Sequence, residues 1–222
     1  MGTLLYQSIA DDIEQLILHK KYNDGDCLPS ERVLATQYGV SRNVIREAIK
    51  ILTEKKLVTN VIGKGHYVTL PNEADLVTMV ESALNSSDIS INEIVDSRED
   101  LELAIGHHIL ELKTAPALDK LYDIYEQMND ALDKPEEFVK LDIFFHLNLA
   151  ELAKNLPLRV FYMTLNNLIS KSIYYGEGNT SYGRITAQQE HEQILLSLKN
   201  RDMDAYAKAI HLHLELIRQL LQ

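Results

Sequence analysis

The segment from Leu28 to Val58 constrains the fold of this chain more than any other part of its 222 residues. Its sequence, LPSERVLATQYGVSRNVIREAIKILTEKKLV, contains two short helical patterns separated by Gly39. Ser30 can accept a hydrogen bond from an early backbone N–H of the first helix, and Ser41 can do the same for the second. Gly39 supplies the left-handed conformation that commonly ends a helix. The segment therefore predicts two helices joined by a tight turn.

The second of these helices has an apolar side and a cationic side. Its apolar residues recur at helical spacing, which predicts one buried stripe. Arg42 and Arg46 are four residues apart on the other side and lie one above the other. Because arginine can pair with both acceptors of a guanine edge, we expect this helix to read DNA with its N-terminal end. The residues predicted to contact DNA here are Ser41, Arg42, Asn43 and Arg46.

The sequence after this helix, LVTNVIGKGHYVTL, alternates apolar and polar residues on both sides of Gly63-Lys64-Gly65. This pattern predicts a β-hairpin, or wing, whose tip carries Lys64 and His66. Glycine allows the backbone to approach a phosphate closely, so we expect Gly63, Lys64 and His66 to contact the DNA backbone or minor groove. An amphipathic helix before the motif completes a small core. Residues 1–70 are therefore predicted to form a winged helix-turn-helix.

The N-terminal part resembles the DNA-binding domain of the GntR family of bacterial transcription regulators. The resemblance rests on LYQSIADDIEQLI, GDCLPSERVLATQYGVSRNVIREAIKILTEKKLV and GKGHYV, which cover nearly all of this region. It implies that three arginines, Arg32, Arg42 and Arg46, contact DNA. It also implies a DNA contact by the wing glycine, Gly63.

Charge divides the chain into two unequal parts. Residues 1–70 carry nine Lys and Arg and eight Asp and Glu, whereas residues 71–222 carry 13 and 25, a net charge of −12. The acidic part is not a nucleic-acid surface, because phosphate contact depends on cations. Pro71 ends the wing strand, and residues 71–76 are predicted to be a linker. Repeated helical spacing over 77–222 predicts an all-α bundle of six or seven helices, so the chain as a whole is mainly α.

The single cysteine, Cys27, excludes an intramolecular disulfide and fits a reducing compartment. No apolar run approaches the ~20 residues that span a bilayer, and the N-terminus lacks the apolar region of a secretory signal. We therefore expect a cytoplasmic protein without a membrane partner.

Three predicted helices of the acidic part carry histidine on their apolar sides. Asp142 and His146 share one stripe, and His191 and His213 lie in the stripes of the last two helices. The turn between those two helices centres on Asp202, eleven residues from each histidine, so an antiparallel hairpin brings the two level. Burying such groups without partners is costly, and imidazole with carboxylate suits a first-row divalent ion. We predict a metal site of these four residues, with zinc preferred and nickel or manganese as alternatives. His211 should instead face solvent.

The acidic part also resembles the FCD effector-binding domain of the FadR subgroup of the GntR family. The resemblance rests on LDIFFHLNLAELAKN and EHEQILLSLKNRDMDAYAKAIHLHLE and covers about residues 74–222. It implies the metal-dependent branch, whose ligands carry over as Asp142, His146, His191 and His213. In that branch the ion lies in a helical cavity and helps to hold a small organic acid.

Arg98 and Glu102, four residues apart, are the first candidates for contact with such an effector. The resemblance places an arginine here that can bind a ligand carboxylate. An arginine and a metal together would bind a hydroxy, keto or sugar acid from two sides. The alternative is a helix-surface ion pair of small value. Asn155 and Asn167 are further candidate effector donors, although either can instead cap or brace a turn.

These features together predict a homodimeric, metabolite-responsive transcription regulator. We expect a dimer because one short recognition helix makes too few contacts for operator affinity, and two-fold proteins match palindromic sites. Two alternatives are a sensor in which the metal itself is the signal, and a metalloenzyme with an open coordination position. The sequence offers no separate general base beside the ligands, which argues against the enzyme.

Overall fold

The computed structural model describes residues 4–114, 116–175 and 180–220. The chain divides into two compact units, with the boundary between Asp75 and Leu76. Within the described ranges there are ten α-helices and one two-stranded antiparallel sheet. None of these helices combines the length and the low charge that a bilayer crossing requires. The mainly helical architecture with a single hairpin is the fold class that the sequence predicts.

The first unit contains the predicted helix-turn-helix and wing. The hydroxyl of Ser30 accepts a hydrogen bond from the Val33 backbone N–H at 3.4 Å, and Gly39 ends the helix with φ of 66°. Ser41 in turn accepts from the Val44 N–H at 3.5 Å and starts the recognition helix. The elements are α1 (Leu5–Leu18), α2 (Glu31–Tyr38), α3 (Arg42–Glu54), β1 (Val58–Val61) and β2 (Gly65–Val68).

The apolar stripe of α3 packs against α1 and leaves the cationic side free. Ile45, Ala48, Ile49 and Leu52 are buried together with Ile9, Ala10, Ile13 and Ile17 of α1. Burial of a full aliphatic side chain contributes about 1.5–3 kcal/mol, so this contact holds the recognition helix in a fixed orientation. The side of α3 that faces away from the core is therefore set by packing, not by its charges.

The segment just before α2 pairs with strand β2 of the wing, which the sequence does not predict. Cys27, just before α2, forms an isolated antiparallel bridge with Tyr67 of β2. The Leu28 N–H donates to the His66 carbonyl at 2.8 Å, and the Val68 N–H donates to the Asp26 carbonyl at 2.8 Å. A single bridge has no periodicity to detect in a sequence, yet it ties the wing to the start of α2.

Helix α4 (Glu73–Asn85) begins inside the segment predicted to be a linker. The Asp75 N–H donates to Asn72 Oδ1 at 3.0 Å, and the Asn72 N–H donates to Asp75 Oδ2 at 3.2 Å. This reciprocal arrangement satisfies N–H groups that a helix start otherwise leaves unpaired. Residues 73–76 of the predicted linker are therefore helical.

The second unit contains most of α4 and six further helices, the larger of the two numbers predicted, within the part of the chain that is described. Helix α5 packs against α8 and α10, α6 packs on α7, and α9 packs along α10. Arg201 adopts a left-handed conformation with φ of 56°, and Asp202 Oδ1 caps α10 by accepting from the Ala205 N–H at 3.0 Å. The helices are α5 (Ile91–Glu111), α6 (Asp119–Asp130), α7 (Pro135–Leu152), α8 (Leu156–Tyr175), α9 (Ser181–Asn200) and α10 (Met203–Leu220).

Gly106, in the interior of α5, lies against the ring of Tyr206. A β-carbon at this position would be 2.1 Å from Tyr206 Cε1, and that ring is fully buried, with its hydroxyl donating to the Glu102 carbonyl at 3.1 Å. Alanine normally stabilises a helix interior relative to glycine, but overpacking a rigid core costs about 1–3 kcal/mol. We expect Gly106→Ala to lower the free energy of unfolding by roughly 2 kcal/mol in urea titrations.

The same experiment has an internal control, because Tyr206→Leu removes the atoms that the added methyl group meets. The double variant Gly106→Ala, Tyr206→Leu should lose less stability than the two single losses added together. Strictly additive losses would contradict the proposed contact.

Candidate functional site

The cationic side of α3 is exposed as the sequence predicts. Arg42, Asn43 and Arg46 are all exposed on the side of α3 opposite its buried stripe, and Ser41 is exposed at its start. Arg32 is exposed on α2. These positions place the residues expected to contact DNA on the free surface of the helix-turn-helix.

Glu31, at the start of α2, is hydrogen-bonded to both recognition-helix arginines. Arg46 donates from Nε to Oε1 at 3.3 Å and from Nη2 to Oε2 at 3.1 Å, while Arg42 Nη2 donates to Oε2 at 3.4 Å. The hydrogen bond from Arg46 lowers the pKa of Glu31, so its carboxylate is ionised at neutral pH. The sequence pattern does not indicate Glu31, because only the packing of α2 on α3 brings it beside the arginines.

The wing differs from expectation at His66. Lys64 is exposed beside Gly63, whose φ of 75° forms the turn, and both lie at the tip. His66 instead lies on β2, and its side chain is only 14% exposed, with Nε2 3.7 Å from Glu31 Oε1. The prediction that His66 lies at the tip is therefore wrong, since its side chain faces α2.

In the second unit, the structure brings together the four residues predicted to bind a metal. His146 Nε2 lies 3.2 Å from His191 Nε2 and 3.1 Å from His213 Nε2. Asp142 Oδ1 lies 3.2 Å from His191 Nε2, and the four candidate ligand atoms are all within 4.8 Å of one another. The three imidazoles are buried, while the Asp142 side chain retains 16% exposure. The cluster joins α7 to the α9 and α10 hairpin, and it meets solvent on the Asp142 side.

Two carboxylates approach the outer nitrogens of this cluster. His213 Nδ1 is hydrogen-bonded to Glu190 Oε2 at 3.1 Å. His146 Nδ1 lies 3.1 Å from Glu102 Oε2, which is an ion-pair distance without the alignment of a hydrogen bond. Both contacts favour a proton on Nδ1 and leave a lone pair on Nε2. The sequence pattern does not indicate Glu190, because its position next to His191 puts it off the apolar stripe of α9.

The protonation states are those that metal ligands require. Burial lowers the pKa of His191 and of His213 to about 4, so both imidazoles are neutral at pH 7. Burial opposes ionisation of Asp142, but its hydrogen bond with His191 outweighs burial and holds the pKa of Asp142 well below the usual range. Burial raises the pKa of Glu190 to about 7. Neutral imidazoles beside an ionised carboxylate can donate lone pairs to a cation.

Arg98 and Glu102 form a buried pair, so the alternative of a helix-surface ion pair is wrong. Arg98 is 1% exposed and Glu102 is 0% exposed, and Arg98 Nε donates to Glu102 Oε1 at 2.8 Å. The Tyr162 hydroxyl donates to the same oxygen at 3.4 Å, and the guanidinium carbon lies 5.6 Å from the centre of the Tyr162 ring. Arg98 Nη2 is buried and has no hydrogen-bond partner among the described residues. Glu102 thus connects this arginine to His146.

The two predicted asparagine donors make their contacts away from the histidine cluster. Asn155 Oδ1 accepts from the Leu158 N–H at 3.3 Å and caps the start of α8, and its Nδ2 lies 3.3 Å from His108 Nε2. Asn167 is exposed, and its Nδ2 donates to Glu81 Oε2 of α4 at 3.4 Å. The buried asparagine of α8 is the preceding residue, Asn166, which is 3% exposed. Asn155 therefore caps a helix and Asn167 braces α4 against α8, while an effector contact by either residue stays a prediction.

His211 faces solvent, as the sequence predicts. Its side chain is 60% exposed, and its Nδ1 pairs with Glu99 Oε1 at 3.0 Å. His213, two residues further along α10, is buried in the cluster. The two histidines therefore provide a matched pair for experiments on the site.

A winged helix with an exposed cationic recognition helix, together with an acidic helical unit, defines the class of two-domain transcription regulators with a helical effector-binding domain. A family model described as "Bacterial regulatory proteins, gntR family" matches residues 5–68, and one described as "FCD domain" matches residues 93–216. The chain belongs to the GntR family of transcription regulators, in its FadR type with a C-terminal FCD domain.

Individual relatives match over nearly the whole chain. The Uxu operon regulator of Haemophilus influenzae is 28% identical over 223 residues, covering 98% of this chain and 79% of the relative. The HTH-type transcriptional repressor NanR of Citrobacter rodentium is 27% identical over 215 residues, covering 95% and 82%. A solved Streptococcus agalactiae GntR structure superposes with a TM-score of 0.65 at 24% identity over 97% of this chain and 99% of that one, which shows a shared fold. Because the family and these relatives are regulators, the chain is a DNA-binding regulator and not an enzyme.

Proposed function

We propose that this chain is a metabolite-responsive regulator that binds a palindromic operator as a homodimer and holds a divalent metal that assists effector binding. The observation that carries the metal assignment is the pair of facing nitrogens in the cluster. His146 Nε2 and His213 Nε2 lie 3.1 Å apart, while carboxylates approach the opposite nitrogen of each ring. Two lone pairs at this distance repel each other, and a cation between them converts the repulsion into attraction.

The donor set and its spacing suit zinc. Zinc binds imidazole nitrogen at about 2.0–2.1 Å, so two nitrogens on one ion are separated by roughly 3.0–3.4 Å. The Nε2–Nε2 separations of 3.1 Å (His146 to His213) and 3.2 Å (His146 to His191) fall in this range. Nickel and manganese accept the same nitrogen and oxygen donors and are the alternatives. When bound, the ion supplies positive charge that an oxygen of the effector can approach.

The charges around the cluster support an effector that is an acid. Without an ion, the ionised Asp142 and Glu102 outnumber Arg98, the cation that pairs with Glu102, so a carboxylate would be repelled. A divalent ion reverses the sign of this charge balance. The unpaired Arg98 Nη2 is a buried donor, and leaving such a donor unsatisfied costs about 1–3 kcal/mol. A small hydroxy, keto or sugar acid can satisfy this donor and meet the ion at the same time.

Arg98→Lys tests this assignment, because lysine keeps the charge beside Glu102 but loses the planar fork. We expect a hydroxy, keto or sugar acid from a screening panel to raise the melting temperature of the zinc-loaded protein. Arg98→Lys should weaken that acid's binding by about tenfold or more while the zinc content stays unchanged. The measurements are thermal shift titration and elemental analysis of the same samples.

Arg218→Lys is the matched control. Arg218 binds Asp96 and Glu99 of α5 at 2.7 and 2.6 Å, so it contacts the same helix outside the cluster. This control should bind the acid like the unmodified protein. Unchanged acid binding in Arg98→Lys, or equal acid binding after zinc is removed by a chelator, would refute the metal-assisted arginine site.

One observation favours a metal sensor as the second candidate. The imidazole side chains of His146, His191 and His213 are 0%, 0% and 3% exposed, so these three ligands are shielded from solvent and can hold an ion without an effector. Operator affinity measured during a zinc titration separates the two functions. A sharp change with metal alone indicates a sensor, whereas our proposal expects the change to require the acid as well.

The proposed homodimer is needed because the DNA-binding unit has one short recognition helix, which makes too few contacts for operator affinity. We assign residues 1–70 to operator binding and residues 77–222 to effector binding and dimerisation, with coupling between them. A cytoplasmic location follows from the role in transcription. Native mass spectrometry of the purified full chain would report the dimer mass, the bound metal and any co-purified acid together. A monomer mass at micromolar concentration would contradict the dimer.

A further inference from the structure

One carboxylate in the first unit connects the cations expected to contact DNA. Glu31 accepts hydrogen bonds from Arg42 and Arg46 of the recognition helix, at 3.1 to 3.4 Å. On the wing side, His66 Nε2 lies 3.7 Å from the same carboxylate. The Glu31 side chain is 17% exposed, whereas the two arginine side chains are 62% and 58% exposed. The carboxylate therefore lies beneath the guanidinium groups, which remain open to a groove.

The geometry of the Arg46 contact leaves the reading edge of its guanidinium group free. Arg46 uses its Nε and Nη2 donors for Glu31, which is a side-on contact. Arginine has five N–H donors, so both Nη1 donors and the second Nη2 donor remain available. Two of these can meet the O6 and N7 acceptors of guanine in the bidentate arrangement that specifies this base.

The contact also has two energetic consequences for DNA binding. A free arginine side chain loses rotamer entropy when it binds a base, and part of this entropy is lost in advance when Glu31 holds the guanidinium group. The negative charge of Glu31 also offsets one of the two arginine charges. This offset weakens attachment to any phosphate, which is the sequence-independent component of binding.

We propose that Glu31 is a positioning residue for sequence reading, which holds Arg42 and Arg46 ready for base edges and restrains their attachment to phosphate. This role rests on the proposed contact of the two arginines with DNA. Its effect is on discrimination between sequences more than on total affinity. Removing the carboxylate should therefore tighten binding to random DNA and loosen the preference for the operator.

The probes are a duplex selected from a random-sequence pool by the unmodified full chain, and a shuffled duplex of the same composition. Glu31→Gln should bind the shuffled duplex about 3- to 10-fold more tightly, with a salt slope steeper by about one. Its binding to the selected duplex should not tighten, so the affinity ratio of selected to shuffled duplex should fall by at least about 3- to 10-fold. Fluorescence anisotropy between about 50 and 200 mM salt measures both constants.

A second variant separates charge from geometry. Glu31→Asp keeps the charge but withdraws the carboxylate by one methylene group, so binding to the shuffled duplex should stay the same while binding to the selected duplex weakens. Glu54→Gln is the matched control, because it removes one charge from the exposed far end of α3. The control should leave the affinity ratio unchanged.

Equal changes on the two duplexes in Glu31→Gln would overturn the proposal, as would the same fall in ratio in Glu54→Gln. Circular dichroism of each variant checks that the chain is folded, and Glu31→Asp still decides the question if Glu31→Gln unfolds. If Arg46→Ala keeps full discrimination, the failure lies with the assigned arginine contacts and not with Glu31.

Discussion

His213→Ala is expected to lose the bound metal, whereas His211→Ala is expected to keep it. The two histidines lie two residues apart on α10, but His213 Nε2 is 3.1 Å from His146 Nε2 and His211 is on the exposed side. Removing one of four ligands should lower zinc affinity by more than the roughly 10- to 100-fold typical of outer-shell changes. Elemental analysis after dialysis against zinc-free buffer measures the content, with about one ion per chain expected in the unmodified protein.

Thermal unfolding gives a second measurement of the same prediction. A ligand that binds only the folded state stabilises it by about 2.7 kcal/mol at a hundred times its dissociation constant. Zinc should therefore raise the melting temperature of the unmodified protein and of His211→Ala, but not of His213→Ala. Comparing each variant without metal separates this effect from lost packing. Equal zinc content in the two variants would show that His213 is not a ligand.

Arg46→Ala is expected to weaken operator binding far more than binding to shuffled DNA. A bidentate arginine–guanine contact contributes about 1–3 kcal/mol of discrimination, and a dimer has two such contacts. The loss over both half-sites is then roughly 2–6 kcal/mol, or about 30-fold at least. Binding to shuffled DNA should weaken only slightly, because it loses the phosphate attraction of a single exposed charge. Anisotropy titrations on a selected duplex and a shuffled duplex give the two constants.

Lys50→Ala is the control for charge alone. Lys50 is exposed one helical turn further along α3 and is expected to contribute mainly to phosphate attraction. Removal of the Lys50 charge should weaken binding to both duplexes by similar factors and reduce the salt slope of binding by about one. If Arg46→Ala behaves in the same way, with equal losses on both duplexes, then Arg46 does not read bases.

Sequence patterns predicted the features that depend on neighbouring residues. The caps at Ser30 and Ser41 and the turn at Gly39 are local hydrogen-bonding and backbone preferences, so they could be read directly. The approach of His191 and His213 followed from their equal spacing about a turn. In each case the helix period or a single turn determines the outcome.

The residues that sequence patterns missed depend on packing between elements. Glu31 and Glu190 lie off the apolar stripes and gain their partners only when α2 meets α3 or when α9 meets α10. Asn166 and Asn167 point in directions about 100° apart around α8. A small error in the predicted orientation of this helix therefore selects the exposed amide in place of the buried one. The burial of Arg98 was equally hidden, because a charged residue near an apolar stripe can face either way.

The arrangement of the histidine cluster along the chain gives a bound ion a mechanical role. Asp142 and His146 belong to one helix, and His191 and His213 belong to one hairpin, so each half of the cluster is local in sequence. An ion held by all four would staple α7 to the hairpin and close the 45-residue interval between His146 and His191. Because the ion binds only the folded chain, this staple stabilises the packing of α7 on the hairpin by an amount that grows with the free metal concentration. The supply of metal in the cell would then set the rigidity of the unit that receives the metabolite.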